Sequence, residues 1–294
     1  MHVVVSIPTY NTPLGLLQRS VKSVLQQTHS ELTVIVLWDG GTRESLGIRD
    51  DRLVEFGWLE NRGRFFADAV VLQALDGHPD VYWKPHDSDD WSEPDGIEVL
   101  KDSMIDGVAF SPHYLHEEGR NIRISPLDTR RLTNPPRPLP LGPLRRSARR
   151  LKSLGLRVPA SITNPVRGGA SWCAGLYSVH RVHLAGGVHP DFRTSYDSLF
   201  VRLVARTGRV GLAEVPTYHY DRRNRSSLTR STSTRTGSLE RESSLTALGD
   251  LDQRAWMAAC PAEIVRGSIS PSRALDVKEH AAQLTAILER RSDL

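Results

Sequence analysis

Cysteine is scarce in this chain: two of its 294 residues, Cys173 and Cys260, are cysteines. Two cysteines are too few for a disulfide framework or for a zinc site built from cysteines. We therefore expect the protein to work in a reducing, cytoplasmic compartment. Cys173 lies in an apolar, glycine-rich stretch, which predicts a core residue and not a nucleophile.

Long apolar runs are absent as well. No segment approaches the roughly 20 consecutive apolar residues that a membrane-spanning helix needs, so no transmembrane segment is expected. The chain starts directly on the apolar residues 2–7, without the basic region and cleavage site of a secretory signal, and we expect none. Its 39% hydrophobic and 24% charged residues are typical of a soluble globular protein, large enough for one α/β domain with an appendage.

The net charge of +4 is distributed unevenly. Residues 119–170 contain twelve lysines and arginines and one acid, a local balance of +11, which leaves −7 for the rest of the chain. Residues 222–235 contain five more arginines. Eight of the 18 prolines lie in residues 126–165, so we expect little regular structure there apart from a short basic helix at 144–154. Such a stretch is either a mobile insertion or a functional loop.

Strand-like and helix-like patterns alternate along the first hundred residues. This alternation predicts a largely parallel sheet with helices on both faces. The expected strands are residues 3–7, 32–38, 53–56, 81–84 and 107–112, and the expected helices are 13–27, 63–75 and 94–104. Farther along, we expect a helix at 196–207, a strand at 210–215, and closing helices at 239–259 and 272–291.

An acidic cluster, residues 86–91 (HDSDDW), directly follows the fourth expected strand. Three carboxylates within four residues repel one another, and a divalent cation, or a ligand carrying one, relieves that repulsion. Taken alone, the cluster is more typical of a solvated turn that caps a helix. However, open α/β sheets bind their ligands at the carboxyl ends of the strands, where this cluster is expected to lie.

Three other polar motifs follow the first three expected strands. They are residues 8–11 (PTYN), 39–41 (DGG) and 61–64 (NRGR). Each is an ordinary turn sequence. Together with the acidic cluster, and in this order, they resemble the motifs of the family-2 glycosyltransferases, over residues 1–116 and 167–227. The resemblance implies a GT-A fold, a nucleotide-sugar donor, most simply a UDP-sugar, and transfer with inversion at the anomeric carbon.

The resemblance assigns donor-binding roles to the first three motifs. Pro8 and Tyr10 would contact the nucleotide, with the Tyr10 ring against the base. Asp39 would accept a hydrogen bond from the ring N–H of the base. Arg64 matches a basic position near the base and phosphates, although a solvated arginine at a helix start is the alternative.

The acidic cluster corresponds to the Asp-x-Asp motif of the family, as Asp87, Ser88 and Asp89. By the resemblance, Asp87 faces the ribose with Ser88 beside it. Asp89 binds Mg²⁺ or Mn²⁺, which bridges the two phosphates and neutralises charge on the departing nucleoside diphosphate. Asp90 is expected to cap the next helix or to assist indirectly.

Two motifs of the second half resemble the acceptor side of the family. Residues 195–197 (SYD) match a stretch that usually ends in Glu-Asp, with Tyr196 in place of the glutamate. This implies that Asp197 is the general base for the acceptor hydroxyl, and a helix-start cap is the alternative. Residues 218–222 (YHYDR) match the closing motif and imply that His219 is a metal ligand, where a structural histidine is the alternative.

We expect a GT-A domain over residues 1–237, with a basic Pro/Arg-rich insertion at 117–166, and a helical extension at 238–294. One acceptor hypothesis is a polyanion, such as DNA with a hydroxylated base or a wall polymer, contacted by residues 119–170 and 222–235. The alternative is a small molecule, a glycan or a protein. A non-catalytic nucleic-acid-binding protein is a further alternative, but it would leave Asp87, Asp89 and Asp197 unexplained. A nucleotidyltransferase is not expected, because the first strand is not followed by a glycine-rich loop with a lysine that could hold a triphosphate.

Overall fold

Buried strands rich in valine, leucine and isoleucine form the centre of the protein. The computed structural model describes residues 1–133, 169–223 and 239–291. The basic helix expected at 144–154, most of the basic stretch 119–170 and the arginines after Arg223 lie outside these residues. Among the described residues, no helix is both long enough and apolar enough to cross a bilayer.

The secondary structure follows the expected alternation. The strands are β1 (Val3–Thr9), β2 (Leu32–Asp39), β3 (Leu53–Trp58), β4 (Tyr82–Pro85), β5 (Trp91–Ser92), β6 (Val108–Phe110), β7 (His113–His116), β8 (Arg123–Ser125), β9 (Gly175–Ser178), β10 (Gly211–Leu212) and β11 (Tyr218–Asp221). The helices are α1 (Leu14–Leu25), α2 (Arg64–Ala74), α3 (Gly96–Asp102), α4 (Thr129–Thr133), α5 (Val179–Leu184), α6 (Tyr196–Arg206), α7 (Leu239–Met257), α8 (Pro261–Gly267) and α9 (Pro271–Arg291), with a 3-10 turn at Trp172–Ala174.

Seven strands form the main sheet, in the order β10-β6-β9-β4-β1-β2-β3. Neighbouring strands are parallel except at β9, which runs antiparallel to both β4 and β6. Alternate residues of β1 enter different cores: Val4 packs with the cluster that includes α2 and α6, and Val5 with the cluster that includes α1 and α3. Both faces of the sheet are therefore covered, and the predicted α/β class with a mostly parallel sheet is confirmed.

Within the described residues, four strands form a smaller sheet, in the order β5-β11-β7-β8. Its strand β5 begins at Trp91, the last residue of the acidic cluster. Strand β11 runs antiparallel to β5, which pairs His219 with Trp91, and parallel to β7, which pairs His219 with Tyr114. The His219 ring is stacked between these two side chains, with centroids 4.6 Å from Trp91 and 4.5 Å from Tyr114. The sequence analysis did not predict this second sheet.

The C-terminal helices pack on the same core as helix α2. On α9, the side chains of Val277, Ala281, Leu284 and Leu288 are buried in the cluster that contains the α2 residues. The His280 ring meets Phe66 of α2 edge to face, 5.6 Å between centroids. The two predicted closing helices are confirmed, and the division into a 1–237 domain and a 238–294 extension stays a prediction.

His113 on β7 allows a test of the small sheet by pH. Burial lowers the pKa of His113 from 6.5 to about 4. The stabilisation from its neutral ring is complete above about pH 6.5 and is lost as the pH falls through about 4. Between pH 7 and 4 we expect the free energy of unfolding to fall by about 3 kcal/mol more in the parent than in the His113→Gln variant.

Chemical denaturation at pH steps from 7 to 4 measures this difference. His180→Gln, at an exposed position on α5, is the control and should keep the pH dependence of the parent. Parallel curves for the parent and His113→Gln would contradict the expectation.

Candidate active site

The loops that follow β1, β2 and β3 touch one another because of two glycines. Gly40 and Gly41 both have φ of +75°, which favours glycine. A Cβ on Gly40 would lie 2.7 Å from the Asn61 nitrogen, and one on Gly41 would lie 2.3 Å from Asn11 Oδ1. The DGG sequence therefore lets three strand ends approach within contact distance.

Asp39 ends β2 and ties it to the loop after β3. Its Oδ1 accepts hydrogen bonds from Trp58 Nε1 and the Arg62 nitrogen, both at 2.7 Å, and its Oδ2 accepts one from the Gly63 nitrogen at 2.8 Å. Burial raises the pKa of Asp39, and these three hydrogen bonds oppose the rise. Because Oδ2 accepts only one of the three bonds, it keeps acceptor capacity for a ligand.

The two residues predicted from the first motif differ in accessibility. Tyr10 directly follows β1 and its side chain is 47% exposed, so a ring surface is available to a ligand. Pro8 is buried within β1, opposite Leu37 of β2. A contact between Pro8 and a nucleotide stays a prediction, and the structure gives Pro8 a place in the sheet.

Arg64, the first residue of α2, lies against the acidic cluster. Its Nη1 pairs with Asp87 Oδ1, and its Nε pairs with Asp68 Oδ2 at 3.2 Å. The guanidinium also lies 4.6 Å over the ring of Trp172. Asp68 is held in turn by the Ser6 hydroxyl at 2.6 Å. Arg64 is therefore held by acidic partners and is not a solvated helix-start residue, while its role near the base and phosphates stays a prediction.

Cys173 connects the second half of the chain to this pair. Its thiol donates to Asp87 Oδ2 at 3.5 Å and accepts from Arg64 Nη2 at 3.4 Å. Its carbonyl accepts from the buried Lys84 Nζ at 2.6 Å. Burial raises the pKa of Cys173 to about 11 and lowers that of Lys84 to about 8. The expected core position of Cys173 is confirmed, and its neutral thiol is not a nucleophile.

Asp90 does not cap the next helix. Helix α3 has Asp95 at its N-cap position, without a side-chain cap. The Asp90 carboxyl instead accepts hydrogen bonds from the Tyr218 hydroxyl and the Asp221 nitrogen, each at 2.7 Å. The Tyr218 oxygen also accepts from the Asp87 nitrogen at 3.1 Å. Asp90 therefore joins the acidic cluster to β11, and this replaces the capping role.

Asp89 is half-buried, and its main chain is fixed by helix α1. Arg19 Nη2 donates to the Asp89 carbonyl at 2.5 Å and to Asp221 Oδ2 at 3.2 Å, and its guanidinium lies 4.1 Å over the Trp91 ring. The Ser88 hydroxyl is hydrogen-bonded to Thr12 at 2.7 Å. These contacts fix the main chain of residues 88 and 89 at the carboxyl end of β4.

His219, the predicted metal ligand, uses both ring nitrogens within the protein. Nε2 is 2.7 Å from Glu93 Oε1, and Nδ1 is 2.9 Å from His116 Nε2. Within residues 1–133, 169–223 and 239–291, no three His, Cys, Asp or Glu side chains stand close enough together to hold a metal ion. Metal binding by His219 stays a prediction, and it requires the ring to give up one of these partners.

Asp197 lies in the first turn of α6, half-buried, two residues after Ser195 at φ 68°. Burial by itself lowers the pKa of Arg64, but nearby acidic groups, Asp197 among them, raise it. Asp197 is therefore within electrostatic reach of Arg64. Tyr196, in the usual glutamate position, is fully buried and its hydroxyl donates to the Gly187 carbonyl at 3.2 Å, so it serves the core.

Comparison with protein families decides the identity of this fold. Residues 4–151, half of the chain, match the family model described as glycosyl transferase family 2. The chain belongs to glycosyltransferase family 2. No curated protein sequence matches it.

Two solved structures resemble this glycosyltransferase in fold. One is S. aureus TarS 1–349 in complex with UDP, at a TM-score of 0.50 and 16% identity, covering 75% of this chain and 60% of that one. The other is GalNAc-T7 with UDP, GalNAc and Mn²⁺, at 0.52 and 13%, covering 96% and 55%. The predicted GT-A fold is confirmed. The chain spans less than two thirds of either structure.

Most predicted residues of this family-2 member meet at one edge of the main sheet. The loops that carry Tyr10 and Asp39 touch, because a Cβ on Gly41 would lie 3.5 Å from the Tyr10 ring, and an ion pair joins Arg64 to Asp87. The sequence analysis gave no role to three residues that hold these groups in place, Arg19, Lys84 and Tyr218. It expected Asp90 to cap a helix or to assist indirectly, not to bind Tyr218. The apolar run before the cluster contains Lys84, and a lysine in a buried strand was the one signal that could have revealed part of this network.

Proposed function

We propose that this protein transfers a sugar from a nucleoside-diphosphate donor, a UDP-sugar, to an acceptor hydroxyl with inversion. The observation that carries the proposal is the ion pair between Arg64 and Asp87 beside Asp89, at the carboxyl edge of a family-2 sheet. The UDP bound to TarS 1–349, and the UDP, GalNAc and Mn²⁺ bound to GalNAc-T7, support the donor class.

The donor would take over contacts that the protein now makes with itself. A diphosphate is a stronger partner for a guanidinium than a single carboxylate, so it would draw Arg64 away from Asp87. The Asp87 carboxylate would then be free to accept a hydrogen bond from a ribose hydroxyl. Tyr10 and Asp39 would hold the base by ring contact and by the remaining acceptor capacity of Oδ2.

The residues fit a divalent cation that is shared with the donor. Asp89 offers hard carboxylate oxygen, which suits Mg²⁺ and Mn²⁺, and few protein ligands are needed because these ions recruit substrate phosphates. The ion would neutralise charge on the departing diphosphate. Arg19 supports this role because it fixes the Asp89 main chain.

Asp197 would remove the proton from the acceptor hydroxyl as that oxygen attacks the anomeric carbon. An ordinary aspartate is ionised at neutral pH, as a general base must be. The attacking oxygen forms the new bond on the face opposite the leaving diphosphate, which inverts the anomeric carbon. The diphosphate leaves with the electron pair of the broken bond.

For the acceptor, we propose a polyanion. In the described part of the basic region, Arg120, Arg123 and Arg222 all pair with one carboxylate, that of Glu117. This leaves an excess of positive charge beside the small sheet, to which Arg120 and Arg123 contribute as part of the +11 of residues 119–170. Clustered arginines with little acid bind phosphate backbones through counterion release.

A panel of UDP- and GDP-sugars with Mn²⁺ or Mg²⁺ tests the donor class. We expect release of nucleoside diphosphate from at least one UDP-sugar, and none after the metal is chelated. With DNA carrying hydroxymethylated bases as the acceptor, transfer should fall at least about tenfold between 50 and 200 mM salt, while donor hydrolysis changes little. No release from any donor would refute the proposed activity, and salt-independent transfer would refute the polyanion.

A further inference from the structure

Arg193 extends from the segment before α6 to the loop between β3 and α2. Its side chain is exposed, and its Nη1 donates to Asn61 Oδ1 at 2.6 Å. Its Cδ lies 3.2 Å from the position that a Cβ on Gly63 would take. The Gly63 nitrogen is the one that donates to Asp39 Oδ2. Arg193 therefore covers the peptide that holds the expected base-binding carboxylate.

Arg193 is the least neutralised of three arginines near Asp39. Arg62 pairs with Asp276, and Arg64 pairs with Asp68 and Asp87. Arg193, in contrast, forms no ion pair with a carboxylate of the described residues, and Asn61 is a neutral partner. Both side chains approach Gly63: Arg193 Cδ lies 3.2 Å from the position of a Cβ there, and Asp39 Oδ2 accepts from its nitrogen at 2.8 Å. Burial raises the pKa of Asp39, and the charge of Arg193 is among the influences that lower it.

A carboxylate next to a guanidinium offers one hydrogen-bond acceptor beside several donors. Uracil and guanine match this pair, because each presents a ring N–H next to a carbonyl oxygen. Cytosine and adenine present the reverse pattern, an amino group next to an unprotonated ring nitrogen. With the ring nitrogen at Asp39 and the exocyclic group at Arg193, only the first two bases donate to the carboxylate and accept from the guanidinium. Cytosine and adenine would turn an unprotonated nitrogen towards Asp39 and an amino group towards Arg193.

We propose that Arg193 reads the carbonyl of the donor base beside Asp39, and that this pair selects uracil or guanine nucleotides over cytosine and adenine nucleotides. The inference rests on the proposed function, since it assumes that the base lies at Asp39. Arg193 precedes Asp197 by four residues in the same segment. A base contact at Arg193 would thus also hold the segment that leads to the general base.

UDP and CDP form a matched pair of ligands, because they differ only at the base edge. We would measure their dissociation constants with Mn²⁺ by calorimetry for the parent, Arg193→Gln and Arg193→Lys. The parent should bind UDP at least about tenfold more tightly than CDP. Arg193→Gln should weaken the binding of UDP about tenfold and that of CDP by less than about twofold. The UDP affinity of Arg193→Lys should lie between those of the parent and Arg193→Gln. GDP and ADP repeat the test for purines.

Arg209→Gln is the charge-matched control. Arg209 is exposed, pairs with Asp106 and should leave both affinities unchanged. An unchanged ratio of UDP to CDP affinity in Arg193→Gln would overturn the proposal. If both affinities fell equally, Arg193 would contact the phosphates and not the base. A parent that binds both equally would overturn it too. A parent that binds no nucleotide would refute the proposed function itself.

Discussion

Asp197→Asn should lower the rate of sugar transfer by about 10²–10⁴-fold, because an amide cannot take the proton of the acceptor hydroxyl. The affinity for UDP should stay within about twofold, since the change keeps the size of the side chain and removes no donor contact. Initial rates with saturating donor, together with calorimetry of UDP binding, measure the two quantities separately.

The control for this substitution is Asp250→Asn, the same chemical change at an exposed position on α7. It should transfer sugar at the parent rate. If Asp197→Asn also did so, Asp197 would be a structural residue of the first turn of α6 and the general base would lie elsewhere. A joint loss of UDP binding and transfer would point to the same conclusion.

Asp89→Asn should reduce metal-dependent turnover by about 10²-fold or more and raise the Mn²⁺ concentration needed for half-maximal rate. The neutral amide is a weaker ligand for a hard cation, so less charge on the departing diphosphate is neutralised. Release of nucleoside diphosphate, titrated with Mn²⁺, gives both values in one experiment.

The neighbouring substitution Asp90→Asn provides the comparison. Burial raises the pKa of Asp90 to about 8, so its carboxyl is mostly protonated at pH 7. Asparagine keeps an acceptor for the Asp221 nitrogen, and its amide can donate to the Tyr218 oxygen once that hydroxyl changes from donor to acceptor. Turnover should stay within about tenfold of the parent. If Asp90→Asn were as damaging as Asp89→Asn at every Mn²⁺ concentration, the division of roles within the cluster would be wrong.

Sequence patterns predicted the elements whose signal is local. The buried strands β1, β2 and β4 were predicted from their apolar runs. The polar motifs directly after these runs were therefore expected at the carboxyl ends of the strands. The helices that close the chain were readable from their period. In each of these cases, the residues that decide the structure lie within one element or directly after it.

The contacts that organise the site were not readable, because their partners lie far apart in the chain. Asp90 and Tyr218 are 128 residues apart, and Cys173 and Asp87 are 86 apart. No local pattern encodes which strand becomes the neighbour of another. The antiparallel insertion of β9, which brings Cys173 to β4, and the pairing of His219 with Trp91 both depend on such choices.

The buried side chains of helix α9 pack in the same core as those of α2, and α2 begins at Arg64. A chain that lost α9 would uncover these apolar groups and loosen the helix that holds Arg64 against Asp87. Helix α9 therefore cannot be exchanged in evolution as freely as an attached module. Substitutions of the buried residues of α9 would therefore be selected for their effect on the position of Arg64 as well as on stability.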